Sequence, residues 1–270
     1  MFPYPLPDNV AKIYHLCAES SLLIRSFLQA EEPYDLTLSS LSDREWVKDR
    51  IHEASQRWNT QSMHTLASLW WFSLSRSLAG TAFASYALSG QALVLEDDNP
   101  MAYRSSDGYI TGILAQRSSD LDESCEALSV ICEEAIDSIC AASRHSVAPY
   151  RALLSDATAM VASSISIRIP PDRRPAIWEK LRIFCNTFRQ YIPMPPLRLI
   201  ESELTPDSQV MTLIDTRPDW EPYLRNSCCL IYRADAEHGH CRDCPRAPYS
   251  HAEFLRQTSM RPRKSLDHLQ

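Results

Sequence analysis

Apolar residues recur at helical spacing along most of the chain between residues 8 and 191. Val10, Ile13, Tyr14 and Cys17 fall at i, i+3, i+4 and i+7, which predicts a first helix starting at Asp8 or Asn9. Ser42 to Glu45 has the form of a capping box and predicts a second helix with Trp46, Val47, Ile51, Ala54 and Trp58 on one side. A third, from about Gln61 to Leu88, sets Met63, Leu66, Trp70, Leu74, Leu78 and Ala82 at helical spacing and stops at Gly90. The same period returns over Leu121 to Ser143, Pro149 to about Ile167, and Pro175 to Tyr191, with proline pairs at 170–171 and 195–196 ending segments. In between, Ala92 to Leu95 reads as a short strand, Asp97 to Pro100 as a turn, and Tyr109 to Leu114 as a partner strand. The expected fold is mainly α with a small β element, a multi-helix body followed by an irregular C-terminal segment. A soft boundary falls near residue 215, after one short helical candidate at Pro206 to Ile214.

Composition fits this picture. Five scattered glycines suit long helices with few special turns, and 44% apolar residues over 270 positions fill a substantial core. The net charge of −7 excludes nucleic acid as a partner, because phosphate neutralisation needs an excess of Lys and Arg. Nothing near Met1 joins a basic segment to an apolar run, and the stretch Leu66 to Leu95 is interrupted by Ser73, Ser75, Arg76, Ser77 and Ser85. A cytoplasmic chain is expected, with peripheral contact to the inner membrane surface offered only by the basic tail Arg256, Arg261, Arg263 and Lys264.

The nine cysteines are unevenly spread. Cys125, Cys132 and Cys140 share helical spacing with Leu128, Ile136 and Ile139 and read as small core residues, as do Cys17 and Cys185. Cys228, Cys229, Cys241 and Cys244 instead crowd into seventeen positions, with Gly239 placed to turn the chain between the two pairs. Four thiolates satisfy either Zn²⁺ or an iron–sulfur cluster. Neighbouring side chains of an extended segment point to opposite faces, so the adjacent pair suits the wider two-iron target better than one tetrahedral ion. Pro245 after the last cysteine is also found in some ferredoxin motifs.

A vicinal Cys-Cys, a gap of about ten residues and a Cys-x-x-Cys resemble the C-terminal signature of the FhuF-like ferric-siderophore reductases. Here the gap, residues 230 to 240, is eleven; Arg225 precedes the first pair and Tyr232 follows it. The resemblance covers roughly residues 222 to 246 and implies a [2Fe–2S] cluster on Cys228, Cys229, Cys241 and Cys244. With the soft boundary near 215, the chain is expected to divide into residues 1–215, a helical body to which the resemblance assigns siderophore binding, and residues 216–270, the iron–sulfur segment. It also implies an oxidoreductase that reduces Fe³⁺ in a hydroxamate siderophore by one electron and releases Fe²⁺ for iron transport.

With no Gly-rich phosphate loop the chain offers no NAD(P)H or flavin site, so an external donor, a ferredoxin or a flavoprotein reductase, is expected. His238 and His240, with Arg233 and Arg242, are expected in solvent or as hydrogen-bond donors that tune the potential. Trp70, Trp71 and Phe72 suggest an aromatic platform, but Trp70 fits the core stripe. The competing reading is a siderophore- or iron-binding protein with a structural zinc site on the same four cysteines.

Overall fold

The structure, a computed structural model, describes residues 5–29, 31–58, 60–106, 108–199, 223–235 and 244–246. It is mainly α with a small β element, as the periodicity predicts. The first helix, α1 (Asp8–Ser20), buries Val10, Ile13, Tyr14 and Cys17. A helix not anticipated, α2 (Leu22–Leu28), follows at once, with the Ser21 hydroxyl accepting from the Ile24 N–H at 3.4 Å. Its run LLIRSFL is too short for periodicity to tell helix from strand.

The helix α3 (Arg44–Glu53) corrects the expected cap. Ser42 ends a short 3₁₀ turn, Leu38–Ser42, and donates to the Ser39 carbonyl at 2.7 Å. Asp43 is the cap, its Oδ1 accepting from the N–H groups of Glu45 at 3.0 Å and Trp46 at 3.1 Å. A carboxylate answers both the free N–H groups and the positive helix end, which a hydroxyl does less well.

The helix α4 (Met63–Ser89) spans 27 residues and ends where Gly90 takes a left-handed φ of 83°. Three further long helices follow: α5 (Leu121–Ser143), capped by Asp120, α6 (Ala148–Ser166) and α7 (Arg174–Phe188). All of these and α1 pack on α4, so it is buried around most of its circumference. That explains why Trp70 and Trp71 are both buried rather than one pointing outward. Each indole nitrogen has a partner: Trp70 donates to the Gly108 carbonyl and Trp71 to the Tyr150 carbonyl at 2.7 Å. Close approach to α6 requires Gly80, where a Cβ would stand 2.7 Å from Val161 Cγ2.

The β element is nested. The strands are β1 (Leu36–Thr37), β2 (Ala92–Val94), β3 (Pro100–Arg104), β4 (Tyr109–Ile113) and β5 (Arg117–Ser119). β4 pairs with β3, not with β2 as expected, and β2 pairs with β5, Leu93 opposite Ser118. The turn at Glu96 to Asn99 sends the chain into β3, which forms a hairpin with β4 inside the outer β2–β5 pair. β1 adds to the β3 edge. Tyr14 joins α1 to this element, donating to the Ile113 carbonyl at 3.0 Å and accepting from the Ala115 N–H at 2.8 Å.

Gly108 closes the β3–β4 hairpin at φ 72°, and a Cβ there would lie 2.7 Å from the Ala54 backbone nitrogen. Gly108→Ala combines a left-handed alanine with a backbone clash. It should lower stability by about 2–4 kcal/mol, read as a fall in the thermal midpoint.

Cys17, Cys125, Cys132 and Cys185 are buried and Cys140 is half-buried, in keeping with core roles. Burial pushes the Cys17 and Cys185 thiols up to about 12. After α7 the strand β6 (Arg198–Leu199) pairs antiparallel with β7 (Tyr223–Leu224), which leads into the cysteine segment and the single turn α8 (Ile231–Ala234). The expected boundary at 215 and the helix at 206–214 lie outside the described residues, as do Gly239, His238, His240, Arg242 and the basic tail. No helix among the described residues is long and apolar enough to cross a membrane.

Candidate functional site

The cysteine segment lies on the helical body through one carboxylate. Asp156, on α6, is 1% exposed. Its Oδ1 accepts from the Asn226 N–H at 2.9 Å, and its Oδ2 from the Ser227 N–H at 2.8 Å and the Ser227 hydroxyl at 2.7 Å. The Arg225 guanidinium, also buried, is 3.8 Å from Oδ2 and stacks over the Phe72 ring at 4.9 Å. Burial pushes the Asp156 carboxyl up to about 6, while Arg225, Asn226 and Ser227 draw it back toward the ionised form. Asn226 adds a side-chain hydrogen bond to the Pro196 carbonyl at 3.1 Å. The residues immediately before the vicinal cysteines are therefore fixed to α6 and α4.

Beyond this clamp the two neighbouring cysteines diverge. Cys229 is buried and belongs to the main core with Ile231 and Ala234. Cys228 is half-buried, and its sulfur lies 3.4 Å from that of Cys244. Leu230 adopts φ 65°, an unusual conformation for a bulky residue, and its N–H thereby donates to Cys228 Sγ at 3.4 Å. The Cys244 thiol and burial hold the Cys228 thiol well above the ordinary thiol range, and the Leu230 N–H works against them. Of the four cysteines read from the sequence, Cys228 and Cys244 are thus brought together, Cys229 turns inward, and Cys241 lies outside the described residues. No group of three metal-ligating side chains is closed among the described residues.

Residues 225–246 match the family model described as the FhuF 2Fe-2S C-terminal domain. The chain carries an FhuF 2Fe-2S domain. The cofactor of that domain is a [2Fe–2S] cluster. All four clustered cysteines and Arg225, the first matched residue, fall within the FhuF domain, while the helical body lies outside it. No curated protein and no solved structure matches the chain.

The described residues of the FhuF domain fit such a group. Two sulfurs bound to one tetrahedral metal at about 2.3 Å stand about 3.8 Å apart, whereas a disulfide needs about 2.05 Å. The observed 3.4 Å is close to the first distance and far from the second. An N–H aimed at a cysteine sulfur is also one of the devices that set cluster potentials.

Asp156 carried a signal that spacing analysis passes over. In the helix APYRALLSDATAMVASSIS, small and apolar residues cover most of every face, so the one acidic side chain, at mid-helix, must be buried and therefore paired. Phe72, from the suspected aromatic platform, serves as the surface on which Arg225 rests.

Proposed function

We propose that the protein is a ferric-siderophore reductase of the cytoplasm, with Cys228, Cys229, Cys241 and Cys244 as the ligands of its [2Fe–2S] cluster. The observation that carries this reading is the FhuF 2Fe-2S domain match over residues 225–246, with the Cys228 and Cys244 sulfurs 3.4 Å apart inside it. When bound, an all-thiolate [2Fe–2S] cluster supplies one electron at a time at a low potential, about −400 mV in plant-type ferredoxins. Siderophore oxygens hold Fe³⁺ far better than Fe²⁺, so a single reduction loosens the chelate.

The chain's own residues have definite tasks in this scheme. Cys228 and Cys244 present a pair of sulfurs at the edge of the body, and Cys229 supplies a third from the core side. Leu230 donates to Cys228, favouring the more negative, reduced state of what that sulfur binds. Asp156 holds Arg225, Asn226 and Ser227 so that the thiol pair keeps its place on α6. Hydroxamate siderophores are the substrate class implied by the family.

Anaerobic purification, visible absorption and electron paramagnetic resonance after dithionite test the proposal. The expected result is a coloured protein with a one-electron-reduced cluster signal that disappears when a ferric hydroxamate is added, with Fe²⁺ trapped by a ferrous chelator. A colourless protein with stoichiometric zinc would overturn it in favour of an iron-binding protein with a structural metal site.

A further inference from the structure

A basic patch borders the thiol pair. His64, in the first turn of α4, stacks on His145, in the α5–α6 connection, with ring centroids 3.6 Å apart. Arg233 and Arg246 lie near enough to act on His64, whose pKa is held below the usual histidine range by burial first, then by His145, Arg233 and Arg246. His64 Nδ1 is buried and has no hydrogen-bond partner among the described residues. His145, Arg233, Arg246 and the neighbouring Arg144 are exposed.

The patch is tied to the sulfurs by the chain itself. Arg246 is two residues beyond Cys244, and Arg233 sits on α8, whose preceding residue Leu230 donates to Cys228 Sγ. Among the described residues of that segment the acidic side chain, Asp235, is half-buried, and the Arg225–Asp156 pair is internal. Among the described residues of that segment the exposed charges, Arg233 and Arg246, are therefore positive, on a chain whose net charge is −7.

We propose that Arg233 and Arg246, beside the stacked His64–His145 pair, form the docking surface for the acidic face of a one-electron donor protein, set against the thiol pair. This rests on the reading of the chain as a cluster-bearing reductase. A cationic rim raises the rate of encounter with an acidic partner by about 10–1,000-fold at low salt, and loses that effect as salt screens it. Charge chemistry favours a donor protein here over the chelate, because hydroxamates neutralise the ferric charge ligand by ligand and leave little for cations to attract. In the transfer, the reduced donor loses one electron and the oxidised cluster gains it; no bond is made or broken.

Stopped-flow reduction of the purified holoprotein by a reduced plant-type ferredoxin tests the surface, with reduced methyl viologen, itself a cation, as the comparison reductant. Arg233→Glu and Arg246→Glu should each slow reduction by ferredoxin about tenfold at low ionic strength and flatten its salt dependence. Reduction by the viologen should not slow, and Lys12→Glu on α1 should behave as wild type. His145→Glu, outside the cysteine segment, repeats the test should a substitution near Cys244 lose the cluster. Unchanged ferredoxin rates in the variants, an equal loss in Lys12→Glu, or an equal loss with viologen would each overturn the assignment. A wild-type protein without cluster absorption would overturn the reductase reading, and this assignment with it, and the spectrum reveals that before any kinetics.

Discussion

Serine in place of Cys228 should leave the protein almost without cluster, while serine in place of Cys140 should leave the cluster intact. The two thiols differ in setting. Cys228 is half-buried against Cys244, whereas Cys140 is one of the helical-spacing cysteines of α5, far along the chain from the matched domain. Substituting residues around a metal's ligands commonly reduces affinity 10–100-fold, and losing a ligand itself exceeds that. Iron and acid-labile sulfide per chain, with the visible spectrum, are the measurements. Equal loss in both variants would mean that global destabilisation, not ligation, sets the outcome. The same series at Cys229, Cys241 and Cys244 tests the proposed ligand set, including the one cysteine that lies outside the described residues.

Removing the clamp should have the next largest effect. Asp156→Ala removes the carboxylate that stands 3.8 Å from the buried Arg225 and strips the Asn226 and Ser227 N–H groups of this acceptor. Breaking a buried pair from one side costs about 3–5 kcal/mol. The loss should appear as undocking of the segment that carries Cys228, because the contacts removed are all with residues 225–227. Hydrogen exchange at 223–235 should rise and cluster content fall, with a smaller change in the thermal midpoint of the helical body.

Asp156→Asn keeps the shape and separates charge from packing. The folded Asp156 carboxyl titrates at about 6, above the unfolded value of about 3.9. Between these values the folded chain holds a proton that the unfolded chain has released, so stability from this group is present at low pH and lost as pH rises through 6. Wild type should therefore exceed the Asn variant by more at pH 5 than at pH 7, as measured by denaturant titration.

The long helices were legible because each carries its own period, and Gly90 stops α4 as expected, whereas the cap of α3 falls on Asp43 rather than Ser42. What eluded the sequence was pairing. Ala92 to Leu95 and Tyr109 to Leu114 have the right residues for strands, but nothing local says that Pro100 to Arg104 intervenes as a strand and that β5 closes on β2. The site divides in the same way. Four cysteines in seventeen residues announce themselves by spacing, whereas Asp156, Phe72, His64 and His145 reach the segment only through the fold, from positions at least seventy residues earlier in the chain.

That separation imposes an order on the making of the protein. The carboxylate that receives the cysteine segment is synthesised 70 residues before Asn226, about 4–14 s at ordinary translation rates. α4 and α6 are complete and able to pack while the thiols are still unmade. The landing place is thus made before its cargo: the side chain that receives the cysteine segment exists before any of the four clustered thiols does.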